Sequence, residues 1–301
     1  MDSYRKILVG YDDSDQARDA LALGRQLADV SGAALVVAGV FPFDPIWGAG
    51  VDPDFREAEA DFARQVEEAA RAVGAEAEAC PSSSAARGLQ ELAEEIGADL
   101  IVVGSSHRGR VGQALAGSVG TTLLHGAASS VAVAPRGLRD RAAPVKTIVV
   151  GFDGSTEAGH ALLAAWGLAK QAGATLKLIS VAVPPPVAAV RTEAGRQELL
   201  DAIRDRARQM LTEARATVPE GIELETTLIT GDPVESLTDV AGSPGTILVV
   251  GSRGYGPLHR VLLGSVSVRL VATAPCPVLV TPRGIDEKRS QGRQAEVATA
   301  P

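Results

Sequence analysis

The chain has 301 residues, 46% of them apolar and only 3% aromatic, with a formal net charge of -8. That length suffices for two domains with cores built from small and aliphatic side chains, and the apolar content excludes general disorder. The acidic balance argues against nucleic acid and anionic membranes as partners.

Other signals are sparse. No apolar run is long enough to span a bilayer, and the N-terminus lacks the apolar stretch of a secretory signal. Cys80 and Cys276 form neither a disulfide framework nor a metal cluster. They read as small apolar fillers. The cytoplasm is therefore the expected compartment.

In chain order, a short β-rich run (Ile7 to Val9) leads through turn residues into a helix marked by Ala17, Ala20, Leu21, Leu27 and Ala28, stopped by Gly32. Leu35 to Val40 is a buried strand. Phe55, Ala58, Phe62, Val66, Ala69, Ala70 and Val73 mark a second helix, and Ala75 to Cys80 alternates as a strand. Leu89, Leu92, Ala93 and Ile96 give a third helix, whose Glu94-Glu95 pair reads as a solvated face. Leu100 to Val103 is a strand, Leu115 to Leu124 a helix and Val131 to Ala134 a strand.

The chain then starts again. Ile7 to Ser14 matches Ile148 to Ser155 at an offset of 141. Val102-Val103-Gly104-Ser105 matches Val249-Val250-Gly251-Ser252, and Gly117-Ser118-Val119 matches Gly264-Ser265-Val266, at an offset of 147. A repeat this long is a whole domain rather than a solenoid unit. The strands of the second copy are Thr147 to Val150, Leu176 to Val181, Glu223 to Ile229, Ile247 to Val250 and Val278 to Thr281. Its helix from Glu198 to Ala216 carries Leu199, Leu200, Ile203, Met210 and Leu211 as a stripe expected in the core. The expected domains are 1–137 and 145–284, joined by a polar linker from Arg136 to Pro144 and followed by a mobile tail, 285–301. Alternating strands and helices predict an α/β fold with a doubly wound parallel sheet in each copy.

The second copy carries Gly251-Ser252-Arg253-Gly254, nine residues, then Gly264-Ser265, between a strand and a helix start. Glycines permit positive φ and close approach of a ligand. Backbone N–H groups and a helix N-terminus attract anions. The segment from Gly251 to Ser265 has no acidic residue but holds Arg253, His259 and Arg260. Plain glycine turns joining strand to helix are the other reading, and the spacing, flanking elements and charge favour binding over it.

This motif, with the opening Val150-Gly151-Phe152-Asp153-Gly154-Ser155, resembles the ATP-binding branch of the universal stress proteins. The resemblance covers both copies, from about Tyr4 to Arg283, and implies five strands per copy in the order 3-2-1-4-5. It also implies that the copies pair through their fifth strands. Strand ends at such a switch point are where open α/β sheets bind ligands. By that resemblance Asp153 contacts the adenosine part and Val181 offers its backbone to adenine. Gly251, Gly254, Gly264, Ser265 and Val266 hold ribose and phosphates; Arg253, from the charge of the segment, is the further candidate for binding the nucleotide. A local Asx turn with Ser155 is the alternative for Asp153.

In the first copy the corresponding set is Asp12, Val40, Gly104, Gly117, Ser118 and Val119. Two positions depart from the pattern: His107 replaces Gly254 and Asp13 replaces Gly154. Asp13 would repel phosphate unless its side chain turns away. His107 reads equally as a phosphate donor, with Gly109 supplying flexibility, or as an exposed loop histidine.

The expected function is a non-catalytic, ATP-binding regulator of the stress response. Mg2+ is a companion of the ATP, and a homodimer and an unidentified protein are candidate partners. A slow ATPase or nucleotide-transferring enzyme, and a nucleotide-free dimeric scaffold, stay open as alternatives. No P-loop is present, and neither glycine loop supplies the carboxylate that phosphoryl transfer would use.

Overall fold

The computed structural model of the protein describes residues 4–42, 53–105, 118–126, 128–141, 143–187, 192–252 and 264–282. The first copy runs β1 (Lys6–Gly10), α1 (Asp15–Ser31), β2 (Ala34–Pro42), α2 (Pro53–Ala72), β3 (Glu76–Ser82), α3 (Ala85–Glu95), β4 (Leu100–Gly104), α4 (Ser118–Gly126) and β5 (Ser130–Ala134). The second runs β6 (Thr147–Gly151), α5 (Thr156–Ala172), β7 (Thr175–Ala182), α6 (Glu193–Thr217), β8 (Leu224–Thr230), α7 (Pro233–Val240), β9 (Thr246–Gly251), α8 (Ser265–Thr273) and β10 (Val278–Thr281).

The duplication is visible down to helix caps. Ser14 accepts the Ala17 N–H at 3.1 Å to start α1, and Ser155 accepts the Ala158 N–H at 3.1 Å to start α5. Both helices end on a left-handed glycine, Gly32 at φ 68° and Gly173 at φ 61°.

All ten strands form one sheet in the order β3-β2-β1-β4-β5-β10-β9-β6-β7-β8. Each half is parallel and has the order 3-2-1-4-5. The halves meet where β5 and β10 pair antiparallel, so the whole sheet is mixed. That pairing covers two strand edges that separate domains would leave open. Buried side chains of both halves form common cores on the two faces. One includes Ile7, Leu23, Ile148, Leu162 and Leu279. The other includes Leu8, Ile101, Val149, Leu248 and Val278. Helices α1 and α5 also touch across the joint.

The linker is ordered by α1. Asp19 is buried, and its carboxylate accepts the N–H of Gly137 at 2.8 Å and of Arg139 at 3.0 Å. Arg139 pairs with Asp15 at 2.8 Å, and Gln26 donates to the Ala143 carbonyl at 2.6 Å. Arg141 reaches the Pro275 carbonyl of the second copy at 3.2 Å. The stretch from Arg136 is thus fastened to both copies, and its Leu138 is buried.

One expectation fails. The stripe on α6 is not all core: Leu199 is 42% exposed, Leu200, Ile203 and Met210 are half-buried, and the buried residues are Ala207, Leu211 and Ala214. The fully buried residues of this 25-residue helix all fall in its second half. The expected tail, 285–301, and the side chain of Phe55 lie outside the described residues.

Candidate functional site

In the second copy β6 lies between β7 and β9, with Gly151 level with Ile179 on one side and Val250 on the other. The chain leaves β6 toward β7 and leaves β9 toward β10, so the carboxyl ends of β6 and β9 diverge into a switch-point crevice. The structure brings Asp153, Val181, Gly251 and the Gly264-Ser265-Val266 turn to this one end. Asp153 follows β6, Val181 is the next-to-last residue of β7, and Gly251 ends β9.

The two ends of the glycine segment are held. The Gly264 N–H donates to the Ser252 carbonyl at 2.8 Å, and the Ser252 N–H donates to the Thr281 carbonyl at 2.9 Å. The Ser267 hydroxyl donates to the Gly251 carbonyl at 2.8 Å. Helix α8 starts at Ser265 with Gly264 as its cap and no side-chain hydrogen bond there. Helices α1, α5, α6 and α7 are each capped by a side chain, from Ser14, Ser155, Thr192 and Asp232. Among the described residues no side chain caps the start of α8, which directs its partial positive charge at the carboxyl end of β9.

The glycines act differently from the sequence expectation. Gly104 and Gly251 are strand residues without positive φ, and Gly264 has φ -61°. Their requirement is steric in the two strand positions. A Cβ on Gly251 would lie 2.7 Å from the Glu157 carbonyl carbon, and one on Gly104 would lie 2.2 Å from the Gln16 oxygen. The first turn of α5 or α1 packs directly on the end of the fourth strand, whether or not a ligand approaches. Positive φ occurs instead at Gly154, φ 79°, where a Cβ would also lie 2.4 Å from the Met210 sulfur.

Asp153 makes the Asx turn weighed as its alternative, with Oδ1 accepting the Ser155 N–H at 3.0 Å. Asp12 does the same in the first copy, accepting from the Ser14 N–H at 3.2 Å and the Ser14 hydroxyl at 2.6 Å. This turn uses one carboxylate oxygen and leaves the group exposed at the crevice mouth.

In the first copy Gly104 ends β4 and Val40 lies in β2. Ser118 and Val119 open α4. These residues repeat the arrangement of the second copy. Asp13 adopts φ 59° and turns its carboxylate to the Tyr11 hydroxyl at 2.8 Å and to Arg18 at 2.6 Å. The Tyr11 hydrogen bond, then Arg18, hold its pKa below the usual carboxylate range. The feared repulsion is thus largely cancelled by a neighbour that the second copy lacks, since Gly159 stands where Arg18 does. His107, Gly109, Gly117, Arg253 and Gly254 lie outside the described residues, as does the side chain of Ser118.

Sequence reasoning missed Ser267 and Thr281, both buried at the cradle's base. The signal was present: Gly264-Ser265-Val266-Ser267 against Gly117-Ser118-Val119-Gly120. The thiols match their reading as fillers. Burial pushes the Cys276 thiol up to about 11, and burial with Glu91, Glu78 and Glu95 raises Cys80. A cavity of about 110 Å³ lies between the linker and the second copy, lined by Arg141, Val145, Thr246 and Cys276. Thr246 starts β9, so this cavity is at the opposite end from the cradle.

Comparison with known proteins gives one consistent family. The universal stress protein family model matches residues 3–135 and again 144–282. A universal stress protein of Thermus aquaticus is 36% identical over 137 residues, covering 45% of this chain and 97% of that protein. Universal stress protein YxiE of Bacillus subtilis is 32% identical over 142 residues, covering 44% of this chain and 96% of its own length. Each of these relatives corresponds to a single copy. The crystal structure of a universal stress protein from Archaeoglobus fulgidus aligns over 93% of this chain and 98% of its own, with a TM-score of 0.63 and 21% identity, and shares the whole two-copy fold. The chain belongs to the universal stress protein family and carries two family domains in tandem.

Proposed function

We propose that this protein is a non-catalytic regulator of the stress response that binds ATP in the crevice of its second copy. The observation that carries the reading is the start of α8, a glycine cap with no side-chain hydrogen bond, facing the end of β9 at the switch point. Phosphate would supply the acceptor for the N–H groups of that first turn. Gly251, Arg253, Gly254, Gly264, Ser265 and Val266 would surround ribose and phosphates, Asp153 would meet the adenosine part, and the Val181 backbone would meet adenine.

The Asx turn at Asp153 is compatible with this role, because one carboxylate oxygen suffices for it. Among the described residues no group of three or more His, Cys, Asp or Glu stands together. Mg2+ would accordingly be held by phosphate oxygens and water. The first copy, with Asp12, Val40, Gly104, His107, Gly109, Gly117, Ser118 and Val119, is the weaker candidate.

The domains under this reading are 1–137 and 145–284. The protein works in the cytoplasm, and nucleotide occupancy biases its assembly or its surface for a protein partner.

The test is equilibrium dialysis against ATP and other adenine nucleotides, joined to release and counting of nucleotide from denatured protein. Saturable binding near one nucleotide per chain is expected, with ATP raising the melting temperature of wild type but not of Gly254→Glu. No adenine nucleotide bound at millimolar concentration would sink the proposal. Multiple-turnover phosphate release lost in Ser265→Ala would replace it with an enzyme.

A further inference from the structure

The two copies differ at one buried position under the cradle. Ser267 is the third residue of α8, only 4% exposed, and its hydroxyl donates to the Gly251 carbonyl across 16 residues of chain, at 2.8 Å. The neighbouring bond from the Gly264 N–H to the Ser252 carbonyl, also 2.8 Å, joins the points where the glycine segment leaves and returns. The two bonds together fix the first turn of α8 against the last residue of β9.

The equivalent residue in the first copy is Gly120, the third residue of α4. Room for a side chain exists there: a Cβ would meet Val103 Cγ2 at 3.7 Å and Val133 Cγ2 at 3.9 Å, both ordinary contacts. Among the described residues, therefore, packing does not demand glycine at 120, yet the hydroxyl is missing.

We propose that Ser267 is a positioning residue that latches α8 to β9 and pre-sets the N–H groups of Ser265 and Val266 for phosphate. The first copy lacks this latch, which makes the two cradles unequal. The inference rests on the nucleotide reading of the second cradle. An anion site gains affinity when its donors are held in place before binding, because ordering is then not charged against the ligand. A buried hydrogen bond holds better than an exposed one, since its loss strands the acceptor away from water.

The experiment compares full-length wild type, Ser267→Ala and Ser267→Thr. Amide hydrogen exchange is followed without nucleotide, and ATP affinity is measured by equilibrium dialysis. Ser267→Ala is expected to speed exchange of the Gly264 amide by about fivefold, the size of one net hydrogen bond. The Leu248 amide, bonded to the Pro277 carbonyl at 2.9 Å on the far end of the sheet, is expected to keep its rate. The ATP dissociation constant is expected to rise by a similar factor of about five, and Ser267→Thr to restore both quantities.

Unchanged exchange at Gly264 overturns the latch whether or not ATP binds. Faster exchange with unchanged ATP affinity overturns the positioning role and leaves a packing contact. Faster exchange in a protein whose wild type binds no adenine nucleotide removes the nucleotide reading, and with it the ligand half of this proposal, while the latch on α8 stands.

Discussion

Asp19 is 2% exposed and would be expensive to bury without partners, yet it sits on the inner side of α1. Its partners are the two linker N–H groups of Gly137 and Arg139, so a single carboxylate sets where the first copy hands over to the second. Asp19→Ala should strand both donors and lower stability by about 2–3 kcal/mol, measured by urea unfolding. Asp19→Asn should lose less, because one amide oxygen can still accept. The thiols offer a second check at this scale. With its thiol pushed up to about 11 by burial, Cys276 should resist alkylation at pH 8 in the folded protein and react only on unfolding.

The sequence exposed the charge of Asp13 but not its direction. Only the fold shows that Tyr11 and Arg18 draw that carboxylate into a local pair. Asp153 was legible as either a ligand contact or a turn, because the same short side chain serves both, and the turn is what the backbone shows. For Ser267 the sequence shows only a difference, serine against Gly120 in the other copy, and its meaning emerges once the acceptor, 16 residues away, is located.

Among elements, the place of every strand was legible, since apolar runs bounded by turn residues leave little freedom, while strand ends were less so: β2 runs to Pro42 and β3 to Ser82, past the expected Val40 and Cys80. The leading helix of the first copy was equally legible from its apolar spacing and from Gly32, where it ends. The stripe of α6 misled because helical period reports which side is apolar, not how far a neighbouring element extends beneath it. The strand-end glycines were noticed for a reason only partly theirs. Gly251→Ala should destabilise the nucleotide-free protein by about 1–3 kcal/mol, the usual cost of overpacking. Its Cβ would press on the backbone of Glu157. Urea unfolding without ATP would expose this, and loss of ATP binding in that variant would be no proof of a direct contact.

Helix α7 carries a pH prediction. Asp232 accepts the N–H of Val234 and Glu235, and the Glu235 N–H is the leading cause that holds its pKa below the usual carboxylate value. A depressed folded pKa means that the stabilisation is complete above the unfolded value, near ~3.9, and is lost as pH falls through the lower folded one. Asp232→Asn, which still caps, should melt below wild type at pH 7. The gap should close as the medium is acidified past that window, as followed by thermal melts.

At the scale of the molecule, two family domains share one ten-stranded sheet and common cores. The duplication was plain from the sequence, and resemblance supplied the pairing of fifth strands. The linker's attachment to α1 was not legible, because polar composition looks the same in a free tether and in a pinned one. The antiparallel joint also turns the second crevice to the opposite end of the sheet from the first, so ligands in the two would lie apart.

The meeting of β5 and β10 has a further consequence. Val278 faces Val133, Leu279 faces Ala132 and Val280 faces Val131. The pseudo-twofold axis runs through the middle pair, since Ala132 and Leu279 are equivalent positions of the repeat. In a homodimer that place must hold a residue opposite its own twin. Here a small side chain meets a large one, which two identical copies cannot provide. Separately expressed halves, 1–141 and 143–301, should therefore prefer each other to themselves. Ala132 against Ala132 leaves a gap, and Leu279 against Leu279 crowds. Native mass spectrometry of the mixed halves should show the mixed pair in excess over both like pairs, and a statistical distribution would refute the argument. Fusion, on this account, ended the obligation of each copy to fit its own image and left the two free to specialise.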